Sequence, residues 1–428
     1  MRRPLRVATT KQLERSARAA GFDTYVLPEL PSLDFNRSIE ERASDGAVYR
    51  PFLEQNDIEL VVDFNSSALT LVESSREPGL MSLTTAELGI PYVACYLDPI
   101  TSTMAKVNWA DHWHLLENAT WVKWIPETTH SEELKRLGIP NVLTMPMALA
   151  DEAVDTSPLP EPDPGAVVAF MGHPASSWFR SQQTIAPSQL FAGLTAAAVN
   201  ADMPDITFHQ VYHDLYEFAE PAAKDEDRSV RAARALEYFN QKFAYNAYLA
   251  VKQRDRFARF LKLKLGDKFE LIGDYWQTNY GLEHTPRIWD RSVMADRMRR
   301  VPICLNLVKG NFETALILRH FEITGYGGFM LTYDRGELRN CFDVGTECDV
   351  FRNEQELLEK IAHYLHHAQE RREIAAAGQR RTLSEHLYSH RLQTLVTLLR
   401  KAGMLSATEV LATGAKEARA ATPIAPSL

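Results

Sequence analysis

The sequence has few cysteines, no long apolar run and no excess of basic residues. Its 428 residues include four cysteines and no CxxC pair, so neither a disulfide framework nor a cysteine zinc site is predicted. The longest apolar stretches, such as residues 142–150, are much shorter than the roughly 20 residues that span a bilayer. No apolar run follows Arg2 and Arg3, so we expect no signal peptide, no transmembrane segment and a cytoplasmic location. The formal net charge of −9 argues against nucleic-acid binding through a basic surface.

Clear metal-binding motifs are also missing. The segment 363–367 contains an HxxHH run, and His386 and His390 are separated by one helical turn, but no glutamate accompanies either group as in HExxH. The acidic triplet at 225–227 lies in a charged cluster between helical segments, which is typical of a solvated loop. We therefore predict no metal site.

Short apolar segments alternate with helical patterns in the first 150 or so residues. The apolar segments are rich in β-branched and aromatic residues, and the helical patterns end at glycines such as Gly21 and Gly138. This alternation predicts a parallel sheet that binds ligands at the carboxyl ends of its strands. The predicted strands are 5–8, 23–27, 58–64, 92–97, 121–125 and 142–145.

A segment with four prolines and no periodicity, residues 155–165, separates this half from a second one. Further strands are predicted at 167–171, 269–274, 303–307, 329–332 and 349–351. We predict an α/β fold of two Rossmann-like domains with a ligand cleft between them. The predicted parts are an N-terminal domain 1–154, a linker 155–165, a C-terminal domain 166–404 with a helical insertion at about 180–265, and a flexible tail 405–428.

The segment 306–328 is the most informative part of the sequence. It predicts a strand end, a loop containing Lys309, a helix over 313–324 and a glycine turn. The backbone N–H groups of a helix start favour an anion, so we expect a phosphorylated ligand. Arg319 and Glu322 lie three apart on one face of this helix. They are either a surface ion pair or a site in which the guanidinium clamps a diphosphate and the carboxylate binds sugar hydroxyls.

Asp98 follows the predicted strand 92–97, at the edge of the sheet that faces the cleft. It is either a turn residue before Pro99 or a carboxylate that takes part in catalysis. Asp63 and Asn65 end the preceding strand and are weaker candidates for the same role.

The segment 303–391 resembles the carboxyl-terminal half of the glycosyltransferase group 1 family, of the type found in spore maturation. The resemblance rests on four segments in this order: CLNLV, RHFEITGYGGFMLT, ELRNCFDVGTECDVFRNEQELLEKIAHYL and RREIAAAGQRRTLSEHLYSHR. Looser similarity extends to residues 92–99, 138–148, 167–172 and 269–276.

This resemblance implies a GT-B architecture, in which the second domain holds most of a nucleotide-sugar donor and the acceptor approaches from the first. Glu322 would match the acid that binds the ribose or sugar hydroxyls. Arg319 and Lys309 would face the diphosphate, and Gly327 and Gly328 would let the backbone approach the donor. The predicted donor site also includes Gly172, Gly273 and Asn306, which end three strands of the second domain. Enzymes of this fold usually need no metal, and the donor substrate is the only small-molecule partner implied.

The sequence departs from the family at two places. Related retaining enzymes carry two glutamates separated by seven residues, whereas Thr314 stands eight positions before Glu322 and Glu313 is one step off. The loop after 167–172 offers only Arg180 where closely spaced Arg and Lys are usual. Stereochemistry is therefore open; in an inverting enzyme, Asp98 would be the base that deprotonates the acceptor.

We predict a glycosyltransferase that acts on a glycan, lipid-linked or protein acceptor. One alternative is an epimerase-type enzyme that processes a nucleotide sugar on the same scaffold. Another is a non-catalytic protein whose helical section, residues 188–265, docks a partner. The sequence defines neither the oligomeric state nor the role of this insertion.

Overall fold

The computed structural model describes residues 3–28, 39–100, 112–152, 154–162, 165–176, 250–307 and 312–406, together with residue 227 and several positions between 229 and 242. Among these residues, no helix is long and apolar enough to cross a bilayer.

The first domain is built on a sheet of six parallel strands in the order β2-β1-β3-β6-β7-β8. Its strands and the separate antiparallel hairpin β4-β5 are β1 Arg6–Thr9, β2 Asp23–Val26, β3 Leu60–Phe64, β4 Leu71–Glu73, β5 Met81–Leu83, β6 Tyr92–Cys95, β7 Trp121–Ile125 and β8 Val142–Thr144. Its helices are α1 Lys11–Ala19, α2 Ile39–Gln55, α3 Thr84–Glu87, α4 Trp113–Leu116 and α5 Thr128–Arg136.

The second domain has a five-stranded parallel sheet in the order β10-β9-β11-β12-β13. Its strands are β9 Val168–Met171, β10 Phe269–Ile272, β11 Ile303–Asn306, β12 Met330–Tyr333 and β13 Asp349–Phe351. The described helices from residue 250 onward are α6 Arg256–Leu265, α7 Trp276–Tyr280, α8 Arg291–Arg300, α9 Leu318–Gly325, α10 Glu354–His366, α11 Ala368–Glu385 and α12 Tyr388–Lys401. A π-helical turn, Val251–Asp255, leads into α6, and 3₁₀ turns occur at Gly266–Lys268 and Gly336–Asn340.

Two parallel sheets with helical crossovers confirm the predicted architecture of two Rossmann-like domains, the GT-B arrangement. Both sheets are buried on both faces. The β7 strand WVKWI, for example, has no exposed residue, as expected when helices cover a parallel sheet on each side.

The last helix departs from the predicted domain boundaries. The prediction assigned residues up to 404 to the second domain, but α12 packs on the first, where Leu392 and Leu395 join the buried cluster that contains Val7 and Leu13. The chain crosses back beside Leu149, whose N–H donates to His386 O at 2.8 Å. This return buries apolar side chains worth about 1.5–3 kcal/mol each and ties the two domains together.

The described positions between 229 and 242 of the helical insertion also pack on the first domain. Ala232, Ala235, Tyr238 and Phe239 belong to the same buried cluster as Leu134 of α5. The Tyr238 hydroxyl donates to Glu133 Oε1 at 2.7 Å. This part of the insertion therefore bridges the two domains.

Candidate functional site

A cavity of about 670 Å³ lies between the two domains, at the carboxyl ends of the second sheet. The second domain supplies most of its wall from the loops after β9, β10 and β11 and from the start of α9. The first domain contributes Leu97, Asp98 and Met147. A ligand in this cavity would contact both domains, which is the usual place for a binding site in such folds.

Six of the predicted site residues line this cavity. They are Asp98, Gly172, Gly273, Asn306, Arg319 and Glu322. Lys309 lies outside the described residues. The structure thus brings together residues that are up to 224 positions apart in the sequence.

Gly327 and Gly328 are not among the residues that line the cavity. A Cβ atom on Gly327, whose φ is +90°, would lie 3.0 Å from Gln379 Nε2, and one on Gly328 would lie 3.0 Å from Cys304 Sγ. Both glycines therefore allow close packing inside the second domain. Contrary to the prediction, they do not contact the cavity.

Asn306 is the clearest sign that the cavity is built for a ligand. The residue is only 1% exposed, and within the described part of the chain neither Oδ1 nor Nδ2 of its side chain has a hydrogen-bond partner. An unpaired buried amide destabilises a fold by about 1–3 kcal/mol per group. Since most buried polar groups are paired, this amide indicates a polar ligand in contact with β11.

The predicted Arg319 and Glu322 pair forms on α9. Arg319 Nη1 lies 2.9 Å from Glu322 Oε2, and both side chains are mostly buried at the cavity wall. The pair is therefore an ion pair and also part of the cavity. A bound ligand can take the place of Arg319 or Glu322 in this ion pair and form hydrogen bonds with the side chain that remains.

The helix that carries this pair is shorter than predicted. It begins at Leu318 and not at residue 313, because the preceding residues bind the first domain. The N–H groups of Glu313, Thr314 and Ala315 donate to Glu127 Oε1 at 2.5, 2.6 and 3.3 Å. The N–H groups at the predicted helix start therefore bind a protein carboxylate and not a ligand anion, and the loop residues 309–311 lie outside the described residues.

Two glycines let the loops after β9 and β10 approach each other. Gly172 N–H donates to Ile272 O at 2.8 Å. A Cβ atom on Gly273 would lie only 2.5 Å from Gly172 O, so no larger residue fits without moving the backbone. The close contact between the two loops therefore explains why position 273 is a glycine. The two loops together form one side of the cavity.

Arg254 is a cavity residue that the sequence analysis missed. It lies in the π-helical turn before α6 and donates to His173 O at 3.0 Å and from two nitrogens to Leu307 O at 3.2 and 3.0 Å. Burial lowers its pKa to about 10, so the guanidinium stays cationic at neutral pH. The adjacent Asp255 accepts hydrogen bonds from Ala175 and Ser176 N–H at 2.7 and 3.0 Å. This turn fixes the loop after β9 and adds a positive charge at the cavity.

His173 also lines the cavity and was not among the predicted site residues. Its Nδ1 accepts a hydrogen bond from Asp274 N–H at 2.9 Å, so the neutral ring carries its hydrogen on Nε2. Burial lowers the pKa of His173 below its usual value. The ring is therefore a neutral hydrogen-bond donor at the cavity wall near pH 7.

A basic and aromatic rim completes the cavity. Arg287, Trp289 and Arg291 line it, and the Arg287 guanidinium lies 3.8 Å from the Trp289 ring centroid. Trp289 is 76% exposed, which is unusual for so large an aromatic side chain. The sequence signal that could have identified these residues is the run PRIWDR, which places all three within six positions at the start of α8.

The other polar motifs of the sequence have local explanations. Of the acidic triplet, only Asp227 is described, and it accepts hydrogen bonds from Ser229 at the start of a helical segment. His386 is buried, and its Nε2 lies 2.9 Å from Cys341 O, whereas His390 Nδ1 accepts from Leu387 N–H at 3.3 Å. These two histidines therefore do not form a shared metal site.

One family model matches part of the chain. Residues 252–397 match the model of the family described as "Glycosyl transferase-like". This range includes Arg254, Asn306, Arg319 and Glu322, but Asp98 lies outside it. The match agrees with the predicted resemblance to glycosyltransferases of this fold, and the spore-maturation type remains a prediction.

Solved structures with a similar arrangement of elements share little sequence with this chain. A glycosyltransferase from Rickettsia africae has 7% identity and a TM-score of 0.49, with 95% of this chain and 100% of that chain covered. A sucrose-phosphate synthase from Thermosynechococcus elongatus has 11% identity and a TM-score of 0.47, with 94% and 100% covered. A trehalose-phosphate synthase from Burkholderia xenovorans has 10% identity and a TM-score of 0.46, also with 94% and 100% covered. No curated protein matches the sequence.

Proposed function

We propose that the protein is a glycosyltransferase that moves a sugar from a nucleotide-diphosphate sugar to a glycan, lipid-linked or protein acceptor. The observation that carries this proposal is the unpartnered Asn306 amide in an interdomain cavity whose described wall also holds four arginines. The family match over the same part of the chain supports it.

The charges of the cavity suit a diphosphate leaving group. Departure of a nucleoside diphosphate places negative charge on its terminal phosphate, and fixed cations lower the barrier by stabilising that charge. Arg254 and Arg319 lie on the loop and helix side of the cavity, and Arg287 and Arg291 lie nearer its rim. We propose that these guanidinium groups bind the diphosphate and neutralise its negative charge, so that no metal ion is required.

Glu322 and Asp98 have complementary proposed roles. Glu322 is anchored by Arg319 at 2.9 Å and can accept hydrogen bonds from donor sugar or ribose hydroxyls. Asp98 is the carboxylate that the first domain contributes, so it faces the donor from the acceptor side. If Asp98 deprotonates the acceptor hydroxyl, the sugar is transferred with inversion of configuration.

The position of Glu313 bears on whether the enzyme inverts or retains the configuration of the sugar. Its carboxylate Oε1 lies 3.2 Å from Lys242 Nζ in the interdomain contact, and Glu313 does not line the cavity. We therefore propose that Glu313 does not supply the second glutamate of the retaining pattern. Determining the anomeric configuration of the product by NMR tests this point separately.

The proposal is tested by measuring nucleoside diphosphate release from a panel of nucleotide sugars, with and without glycan, lipid-linked and peptide acceptors. We expect release that depends on an acceptor and falls at least a hundredfold in Glu322→Gln. The exposed Glu359→Gln on α10 is the matched control and should retain full activity. Donor conversion without any acceptor would instead support the epimerase-type alternative, and no turnover of any donor would support a non-catalytic role.

A further inference from the structure

The junction of α10 and α11 brings three potential metal ligands together on the surface, away from the cavity. His363 lies in the last turn of α10, His367 joins the two helices and Glu370 lies in the first turn of α11. One ligand atom of each residue lies within 4.8 Å of the others. The sequence contains an HxxHH run without an accompanying glutamate, and the first turn of α11 supplies a glutamate beside it.

The hydrogen bond of His367 leaves one of its ring nitrogens available for a metal. His367 Nδ1 lies 2.8 Å from His363 O, and a carbonyl oxygen can only accept, so Nδ1 carries the hydrogen. The lone pair of the neutral His367 ring is then on Nε2. A backbone carbonyl that fixes the tautomer in this way is the common outer contact of metal-binding histidines.

The spacing of the ligand atoms is close to that of a coordinated ion. His363 Nε2 donates a hydrogen bond of 2.9 Å to Glu370 Oε2, and the rings of His363 and His367 are stacked with centroids 4.1 Å apart and planes 20° apart. Zn²⁺ binds imidazole nitrogen and carboxylate oxygen at about 2.0–2.2 Å, so neighbouring ligand atoms lie roughly 3–3.5 Å apart. A bound ion would replace the hydrogen between His363 Nε2 and Glu370 Oε2, and the His367 ring, which is exposed, would rotate out of the stack to direct its Nε2 lone pair at the ion.

The geometry points to a site for one divalent transition-metal ion, such as Zn²⁺, bound by His363, His367 and Glu370 with water at the remaining position. The bound ion would link the end of α10 to the start of α11. Because α11 packs on α9 through the Thr324–Thr382 hydrogen bond of 2.7 Å, the ion would stabilise the helices behind the cavity. This site is independent of the proposed sugar transfer, which requires no metal.

The chain contains a matched control for this proposal. His366 lies in the same last turn of α10 and is exposed, but it is not part of the three-residue group. His366→Ala thus removes an exposed histidine of the same run without removing a ligand.

The test is a calorimetric titration of the EDTA-treated, dialysed full chain with zinc sulfate, alongside the melting temperature with and without the metal. We expect one equivalent of Zn²⁺ to bind and to raise the melting temperature. His363→Ala, His367→Ala and Glu370→Gln should each weaken binding at least tenfold, and His366→Ala should bind within twofold of the wild type. The proposal is overturned if the wild type binds no stoichiometric Zn²⁺, or if His366→Ala weakens binding as much as His367→Ala.

Discussion

The side-chain amide of Asn65 holds Asp98 in place at the cavity wall. Asn65 Oδ1 accepts hydrogen bonds from the N–H groups of Leu97 and Asp98 at 2.7 and 3.2 Å, and its Nδ2 lies 3.5 Å from Asp98 Oδ2. Asn65 adopts a left-handed conformation with φ of 53°, which asparagine tolerates better than most residues. It fixes both the backbone and the carboxylate of the proposed base.

Replacement of Asn65 by glycine should therefore impair turnover without impairing donor binding. Glycine keeps the left-handed backbone but removes all three contacts, so Asp98 loses its fixed position. We expect kcat to fall by about 10- to 100-fold with little change in the KM for the donor. Steady-state kinetics checks this.

Asn141→Gly is the matched control for this change. Asn141 has the same φ of 53° in the same domain, but its side chain donates to Ala119 O and does not contact Asp98. Equal loss of kcat in both variants would show that the effect of Asn65→Gly is a general one on the domain.

Arg319 should contribute to affinity for the diphosphate. Hydrogen bonds to a charged group are worth about 1.5–3 kcal/mol each, so Arg319→Gln should weaken nucleoside diphosphate binding by about 10- to 100-fold. Arg300→Gln is a suitable control, because Arg300 also forms a helix ion pair, with Asp296 at 2.8 Å, but on the exposed side of α8. Calorimetric titration gives the nucleoside diphosphate dissociation constants of the Arg319→Gln and Arg300→Gln variants. Equal constants for the two variants would show that Arg319 does not bind the diphosphate.

Glu127 joins the first domain to the second. It is 1% exposed and accepts hydrogen bonds from the N–H groups of Glu313, Thr314 and Ala315. Nearby, Lys242 Nζ lies 2.5 Å from Glu133 Oε2 in the same interdomain network. These contacts position the chain that leads into α9.

Glu127→Gln should destabilise the protein. The amide oxygen can still accept hydrogen bonds, but loss of the charge weakens each bond, and we expect a total loss of about 1–3 kcal/mol. Urea unfolding measures this loss, and the exposed Glu132→Gln on the same helix should be neutral within about 0.5 kcal/mol. Equal stability of the two variants would mean that the Glu127 contact contributes nothing.

Asp63 should make stability depend on pH. Burial raises its pKa to about 7, even though Ala68 N–H and the Tyr92 and Ser67 hydroxyls donate to it and Arg42 lies nearby. The unfolded carboxyl titrates near its usual value of about 4. The folded state therefore binds this proton more tightly, so the contribution of Asp63 is complete below pH 4 and is lost as the pH rises through 7.

The Asp63→Asn variant isolates this contribution, because the amide does not titrate. Between pH 4 and 7, the free energy of unfolding of the wild type should fall relative to that of the variant by about 1.4 kcal/mol per pH unit. Urea unfolding at several pH values checks the sign and the slope. Parallel curves for the two proteins would show that Asp63 titrates normally.

The strands were the most predictable part of the fold. Segments such as 121–125 and 303–307 are short, apolar and bounded by turn residues. The residues that follow a parallel strand lie at the carboxyl edge of its sheet, so the strand ends predict which residues face the cleft. Asp98, Asn306, Gly172 and Gly273 were found in this way. The long helix α2 was missed because it contains Pro51 and lacks a strong amphipathic pattern.

The start of α9 could not be predicted from local sequence. The N–H groups that would have extended the helix from Glu313 instead bind Glu127, which lies 186 residues earlier in the chain. Arg254 was missed for a similar reason, since it lies within an apparently continuous amphipathic segment and reaches the cavity through a π-helical turn. Packing of α12 on the first domain likewise depends on tertiary contacts that sequence periodicity does not describe.

The central claim is that a nucleoside diphosphate binds beside Asn306 and Arg319 in the interdomain cavity. Calorimetric titration of UDP, GDP, ADP and dTDP into the wild type and Asn306→Leu tests it most directly. We predict that at least one of them binds the wild type with one-to-one stoichiometry, and that its affinity for Asn306→Leu is roughly tenfold lower because the buried amide can no longer pair with it. The account is contradicted if none of the four nucleotides binds, or if the one that binds has the same affinity for both proteins.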